Sequence, residues 1–281
     1  MTFGTMTLYL DGGPAAAAQA EAGVRLARSQ GSHLVGLAVT GNELFETSLG
    51  AGLLPRHELN AALAAARRRA QAIADAFAGQ AAGLGSPSHE TAIDDRDAAA
   101  ALARSSLFCD LVVLPRPASD SPVLNWTRRD LEQALVDLAS PAIVLPARPV
   151  AAEIGRHVVI AWKPERPCAL ALAAALPLLK SAARVTLVHV DSPFDGVLRV
   201  PARDDVERAC TRLRRDGVTA IARFIQSSDD AAEVLLEQIR SEGADLVVMG
   251  AWGRPRWSER AFGGCTRTLL SELEIASFTA H

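Results

Sequence analysis

The chain repeats itself, and the repeat constrains the fold more than any other feature of the sequence. The run Cys109-Asp110-Leu-Val-Val-Leu-Pro115 returns as Ala244-Asp245-Leu-Val-Val-Met-Gly250. Each run has the length and apolar character of a buried strand, and each leads through a loop and a helical segment to one more apolar strand. A chain that carries the same series twice is expected to fold as two similar domains.

Within each half, short apolar strands alternate with helical segments, two of which are predicted at 58–78 and 168–180. The strands are predicted near 6–11, 33–39, 88–93, 110–115 and 141–146, and again near 157–162, 184–190, 219–225, 245–250 and 275–280. Such alternation predicts an α/β fold, with a doubly wound, mostly parallel five-stranded sheet in each half and helices on both faces. The domains are predicted at 1–148 and 155–281, on either side of a short connection that contains proline.

Composition excludes several classes of protein. The 281 residues are 49% apolar, which is enough for two cores, and the net charge of −3 gives no electrostatic case for binding nucleic acid. No apolar run approaches the ~20 residues of a membrane span, and no signal peptide pattern opens the chain. The four cysteines lack metal-ligand spacing. We therefore expect a cytoplasmic protein with reduced thiols and no metal centre.

The clearest candidate for a site is a glycine run in the second half. Gly250, Gly253 and Gly263 directly follow an apolar strand and precede the helical segment 266–273. Glycine lets the backbone approach a ligand closely, and the free N–H groups of a helix N-terminus attract anions. The spacing is neither that of a P-loop nor G-x-G-x-x-G. The run predicts a phosphate site, with a glycine-rich turn that holds no ligand as the alternative.

The spacing G-x2-G-x9-G resembles the nucleotide-binding signature of the universal stress protein family. The flanks agree, since Ala-Asp-Leu-Val-Val-Met before the run and Thr-Arg-Thr-Leu-Leu after it resemble that family's fourth strand and last helix. The order of elements extends the resemblance to the whole chain, as in a tandem member with two fused domains. The resemblance implies that the last strands, at 142–145 and 275–280, pair within the chain across a pseudo-twofold axis. It leaves a homodimer open.

The resemblance also implies a ligand, ATP or a related adenine nucleotide accompanied by Mg²⁺, bound in the second half. Glycines would pass beneath the ribose and triphosphate, the following helix would offer N–H groups and a hydroxyl, an arginine would reach a phosphate, and two apolar side chains at the ends of neighbouring strands would flank the base. The glycines beneath the ribose and triphosphate are Gly250 and Gly253, and the arginine is Arg254. The two apolar side chains beside the base are Val190 and Met249. The N–H groups and the hydroxyl at the helix start belong to Gly263, Gly264, Cys265 and Thr266. Ordinary alternatives are a helix cap for Thr266, a solvated Arg254, and core positions for Val190 and Met249.

The sequence departs from the family pattern in both halves. In the second half Lys163-Pro164 replaces Asp-Gly after the first strand, and Gly264 replaces Ser or Thr. Lys163 would hold a phosphate, pair with Glu165 or remain solvated. The first half keeps Asp11-Gly12-Gly13 but has a proline-containing stretch at 114–122 in place of the glycine loop, so we expect no nucleotide there.

Two functions follow from these features. The first is a regulatory protein of the universal stress type that binds an adenine nucleotide in its second half, with at most slow hydrolysis. The second is a tandem scaffold in a stress response that has lost nucleotide binding. No catalytic motif is present, and an adenylyl-transferring relative would need a histidine motif that is missing. The histidines are scattered along the chain, and only His189, at the end of a strand, is a candidate for the site. The alternative for His189 is an ordinary residue at the edge of the core.

Overall fold

Each half of the chain builds its own parallel sheet. The computed structural model describes residues 2–41, 56–86, 88–117, 126–147, 153–191, 202–251 and 264–281. They fall into two units, Thr2–Val150 and Ala151–His281, which we call the first and the second domain.

The first domain has five strands, all parallel to their neighbours, in the order β3-β2-β1-β4-β5. The strands are β1 Thr5–Tyr9, β2 His33–Val39, β3 His89–Asp94, β4 Leu111–Pro115 and β5 Ala142–Leu145. The helices are α1 Ala16–Gln30, α2 Arg56–Gly83, α3 Ala98–Ser105 and α4 Arg128–Asp137, with a 3₁₀ turn at Ser106–Phe108.

The second domain repeats this order as β8-β7-β6-β9-β10, again all parallel. The strands are β6 His157–Ala161, β7 Arg184–Asp191, β8 Ala220–Gln226, β9 Leu246–Gly250 and β10 Ala276–Ala280. The helices are α5 Arg166–Ala174, α6 Leu176–Ser181, α7 Ala202–Arg215, α8 Ala231–Ser241 and α9 Gly264–Glu272. The predicted α/β class and the five-stranded parallel sheet of each half are thus confirmed. Pairing of the last strands stays a prediction.

The strand order creates one crevice in each domain. From the first strand the chain moves outward on one side of the sheet, then crosses over and builds the other side. Right-handed crossovers place the helices of the two sides on opposite faces. Where the direction reverses, between β1 and β4 and between β6 and β9, the carboxyl ends of the strands leave a crevice that commonly holds ligands.

The repeated aspartate has a structural role in both domains. Asp110 accepts hydrogen bonds from the backbone N–H groups of Gly4 and Thr5, at 2.8 and 3.0 Å. Asp245 accepts three, from residues 155, 156 and 157, at 2.7, 3.0 and 3.0 Å. Each carboxylate therefore ties the start of the fourth strand to the start of the first. The sequence repeat is a repeat of this contact as well as of the apolar strand.

Two helices differ from their predicted bounds. The segment 168–180, expected as one helix, is split into α5 and α6 at Ala175. Pro177 is the second residue of α6, and a proline lacks the N–H that would continue the α5 ladder. Helix α2 runs to Gly83, beyond the predicted end at Ala78, because the small and polar residues after Ala78 include no proline.

Candidate functional site

The crevice of the second domain lies where β6 and β9 end side by side. Ala161, the last residue of β6, pairs with Met249 in β9. Lys163 follows β6 by two positions, and Gly250 is the last residue of β9. Two of the sequence candidates therefore lie at the switch point of the sheet.

Gly250 is required by close packing of the backbone. A Cβ at this position would lie 2.4 Å from the backbone nitrogen of Cys168 and 2.6 Å from the carbonyl carbon of Pro167. Both atoms belong to the first turn of α5, so no side-chain rotation could relieve the conflict. The first glycine of the run thus lets α5 lie directly against the end of β9, whatever else it does.

Cys168 lies at the same junction and was not singled out by the sequence. Its thiol is half-buried and faces the carbonyl oxygen of Ala161, with Sγ 3.9 Å from that oxygen. Burial raises the pKa of the Cys168 thiol, and the backbone N–H groups of Lys163 and Gly250 oppose the rise. The thiol is therefore kept protonated, which makes it a poor nucleophile. Its position in the first turn after β6 is the sequence signal that would have found it.

Lys163 pairs with Glu165, which was one of its three predicted roles. The ammonium nitrogen lies 3.6 Å from a Glu165 carboxylate oxygen, and the two side chains are 45% and 44% exposed. The Glu165 N–H also donates to the Lys163 carbonyl at 2.7 Å. An exposed pair of this kind stabilises by about 0–1 kcal/mol. Glu165 therefore offsets the lysine charge at the place where the family pattern has an acid.

Trp162 joins this loop to the neighbouring strand. Its N–H donates to the Val188 carbonyl at 2.8 Å, and its carbonyl lies 2.9 Å from Nδ1 of His189. A carbonyl only accepts, so Nδ1 carries the proton of that bond. His189 is buried and its ring stacks on Phe224, with 5.4 Å between centroids. The core-edge reading of His189 is thus confirmed.

Trp162, which directly follows β6, carries an indole donor that lacks an acceptor among the described residues. Its Nε1 is buried and has no hydrogen-bond partner in the described part of the chain. A buried donor without an acceptor costs about 1–3 kcal/mol, so an acceptor from a ligand or a water would be stabilising here. The sequence analysis did not identify this feature, because nothing in the residue pattern shows which tryptophan loses its solvent.

The two apolar candidates are buried, but they do not lie on neighbouring strands as predicted. Val190 is 8% exposed near the end of β7, and Met249 is 3% exposed in β9. Strand β6 runs between β7 and β9, and Val190 pairs with Ile225 of β8. The prediction of neighbouring strands is wrong because the first strand of the domain, β6, is central and separates the second strand from the fourth.

Helix α9 brings its first turn to the carboxyl edge. It connects the parallel strands β9 and β10, so it must run back along the sheet and begin where β9 ends. Cys265 and Thr266 are the second and third residues of this helix. Thr266 thus lies inside the first turn, so the alternative of a helix cap is wrong. Gly264 opens the helix, while Gly253, Arg254 and Gly263 lie outside the described residues.

The equivalent edge of the first domain is built differently. Asp11 accepts a hydrogen bond from the Gly13 N–H at 2.8 Å, and burial raises the pKa of its carboxyl group. At the end of β4 the carbonyl of Pro115 accepts the indole N–H of Trp126 at 2.8 Å. The Trp126 ring is buried against Tyr9, with 4.6 Å between centroids.

Neither domain shows a metal site or a membrane segment in the parts that can be described. No group of three or more His, Cys, Asp or Glu in these ranges is arranged to hold a metal ion. Among the same residues, no helix has the length and apolar character that crossing a membrane requires.

Comparison with known proteins agrees with this architecture. The sequence profile of the universal stress protein family matches residues 155–276. The second half of the chain is a universal stress protein domain. The match spans β6 to the start of β10 and includes the glycine run. Among curated proteins none matches the sequence.

Solved structures extend the likeness to both halves. A universal stress protein from Archaeoglobus fulgidus DSM 4304 aligns with 98% of this chain and 94% of its own, at a TM-score of 0.72 and 13% identity. A functionally unknown protein from Pseudomonas aeruginosa PAO1 aligns with 98% of this chain and 92% of its own, at a TM-score of 0.59 and 16% identity. The fold is therefore that of two universal stress protein domains in tandem.

Proposed function

We propose that the protein is a regulatory binding protein of the universal stress type that takes ATP, or a related adenine nucleotide with Mg²⁺, in its second domain. The observation that carries the proposal is the family match over residues 155–276, which contains the complete G-x2-G-x9-G run. The first domain lacks that run, so the proposal predicts one nucleotide per chain.

Of the parts of such a ligand, the phosphates have the strongest support from the structure of the second domain. The first turn of α9 lies at the carboxyl edge, and its free N–H groups attract an anion. In the proposal Gly264, Cys265 and Thr266 hold the phosphates, together with Gly253, Arg254 and Gly263 of the run. Gly250 serves the site by letting α5 pack against the end of β9, and the buried Val190 and Met249, on the two strands that flank β6, are the apolar side chains proposed to lie beside the base.

The fit is weaker at the ribose. Lys163 stands in place of the family's acid and is paired with Glu165. The indole N–H of the preceding residue, Trp162, has no acceptor among the described residues, and an oxygen or ring nitrogen of a ligand would accept it. In this proposal the protein's residues bind and orient the nucleotide, and none of them activates water for hydrolysis.

The test is the nucleotide content of the purified protein, followed by ATP binding to the emptied protein. Gly253→Val and Gly263→Val should abolish binding, with circular dichroism unchanged.

A finer pair is Thr266→Val and Thr268→Val, both half-exposed threonines of α9. We expect Thr266→Val to weaken ATP binding by about tenfold, the value of one hydrogen bond to a charged group, and Thr268→Val to leave it unchanged. Equal affinities in the two threonine variants would contradict the assigned role of Thr266.

The second candidate function is a scaffold without nucleotide. The Lys163–Glu165 pair favours it, because the lysine replaces the family's acid and Pro164 removes a backbone donor. Thermal unfolding with ATP and Mg²⁺ separates the two. At a ligand concentration 100 times the dissociation constant, stabilisation should reach about 2.7 kcal/mol. An unchanged unfolding temperature at millimolar ATP would favour the scaffold.

The same proposal includes pairing of the domains through β5 and β10 within one chain. Its support is the apolar sequence of β5, Ala142–Leu145, which is suited to a paired edge. Hydrogen exchange of the β5 amides tests it, since pairing predicts slow exchange along both edges of the strand. Fast exchange of alternate amides would indicate an open edge.

We place the protein in the cytoplasm, where its cysteines would stay reduced.

A further inference from the structure

Trp126 of the first domain contacts the end of β4, the strand that corresponds to β9 of the second domain. Pro115 and Gly250 are equivalent, because each ends the fourth strand of its domain and pairs with the last strand. The residue after each donates its N–H to that strand, Arg116 to Leu145 at 2.8 Å and Ala251 to Ala280 at 3.0 Å. The indole on the Pro115 carbonyl is therefore attached at the switch-point crevice of the first domain.

The indole is buried and has both a hydrogen bond and an aromatic contact. Its Nε1 donates to the Pro115 carbonyl at 2.8 Å. Its ring is 3% exposed and lies 4.6 Å from the Tyr9 ring at an interplanar angle of 53°. The next residue, Thr127, caps α4 in a reciprocal capping box with Asp130. The backbone on one side and the ring on the other are thus both anchored.

The chain that follows β1 is closely packed, and the phenol at the end of β1 is neutral. Gly12 has a φ of +67°, and a Cβ there would lie 2.6 Å from Cδ1 of Ile73 on α2. Burial raises the pKa of the Tyr9 phenol, and the nearby Asp11 and Asp130 charges raise it further. The phenol is therefore neutral. The indole therefore has two described contacts, the Pro115 carbonyl as acceptor and the neutral phenol ring of Tyr9, and the Asp11 and Asp130 charges lie near that phenol.

We propose that the carboxyl edge of the first domain is a binding site for a planar heterocycle with one N–H donor, and that Trp126 fills it as an internal ligand. Removing the indole should open a cavity that takes free indole in its place. The N–H to the Pro115 carbonyl sets the ligand class, so 1-methylindole, which has the same ring without the donor, should be discriminated against.

The experiment uses Trp126→Gly in the full chain, with indole and 1-methylindole as probes. Indole should raise the Tm of the variant by a few degrees at saturation, and 1-methylindole should raise it by less than half as much. Wild type should respond to neither. The matched control is Phe77→Ala, which removes an aromatic ring that is also 3% exposed in the same domain but touches no carbonyl acceptor in this way.

Three results would overturn the proposal. One is an equal response of Trp126→Gly to both probes, which would indicate an unspecific apolar cavity. Another is the same preference for indole in Phe77→Ala. If Trp126→Gly does not fold even with indole, Trp126→Val is the milder variant. The absence of indole binding to folded Trp126→Val, measured by saturation-transfer NMR, would overturn the proposal as well.

Discussion

The two domains share one fold but finish the same edge of their sheets in opposite ways. In the first, a tryptophan from the loop before α4 is bonded to the end of β4 and closes the crevice. In the second, the end of β9 is a glycine against which α5 packs, and the glycine run follows. The comparison teaches that a repeated fold preserves its strands and their ties, while the edge where ligands bind is free to change.

The largest effect that would test this comparison is expected at Gly250. Gly250→Ala should destabilise the second domain by about 3 kcal/mol, because its Cβ would meet backbone atoms of α5 at 2.4 Å. Urea unfolding measures the change. The control is Gly79→Ala in α2, where an added Cβ meets nothing within 4 Å, and which should stabilise by about 0.5 kcal/mol. A Gly250→Ala protein as stable as wild type would show that the close packing is not required.

The aspartates that the two domains share allow the hydrogen bonds between the fourth and the first strand to be compared. Asp245→Ala should cost about 2–3 kcal/mol, because it leaves three backbone N–H groups without their acceptor. Asp110→Ala should cost less, about 1–2 kcal/mol, because it frees two more exposed groups. Denaturant unfolding of both variants gives the order. The reverse order would mean that the hydrogen bonds do not set the strength of the tie.

A smaller effect is expected at Lys163. Lys163→Ala should change the free energy of unfolding by less than about 1 kcal/mol, since its pair with Glu165 is half-exposed. Double-mutant cycles with Glu165→Ala measure the coupling. A coupling above 2 kcal/mol would show that the pair is a structural element rather than a surface contact.

The smallest effect is a pH dependence at Asp11. Burial raises its pKa in the folded protein, so the folded state holds the proton more tightly than the unfolded state. Its contribution to stability is therefore lost as the pH rises from the unfolded pKa through the folded one. Asp11→Asn keeps an acceptor for the Gly13 N–H and removes the buried charge. We expect the stability of this variant relative to wild type to increase as the pH rises across that interval. Urea unfolding of both proteins at acid and neutral pH measures the difference in free energy of unfolding. The same difference at both pH values would contradict this expectation.

Much of the fold was predictable because periodicity and repetition act over many residues. The repeat around Asp110 and Asp245 predicted both sheets, and the structure confirms them. The order of strands was harder to predict, because the first strand lies between the second and the fourth, and Val190 and Met249 were wrongly placed on neighbouring strands. The break between α5 and α6 was visible as Pro177 but was given too little weight.

The site was less predictable because its decisive contacts join residues far apart in the chain. Glycine at position 250 was interpreted as room for a ligand, whereas the structure shows the first turn of α5 in that space. The role of Trp126 could not be predicted from sequence, because its acceptor is the backbone carbonyl of Pro115 and every residue has a backbone carbonyl. Only the fold shows which carbonyl the indole reaches. The pair of Lys163 and Glu165 was predictable because the two residues are close in sequence.

The most direct test of the account is the number of ATP molecules bound per chain, measured by equilibrium dialysis of the emptied protein with Mg²⁺. We expect one ATP per chain, lost in Gly263→Val and retained in Trp126→Phe, because only the second domain binds ATP and a phenyl ring still fills the edge of the first. Two molecules per wild-type chain, or one that survives Gly263→Val, would contradict it.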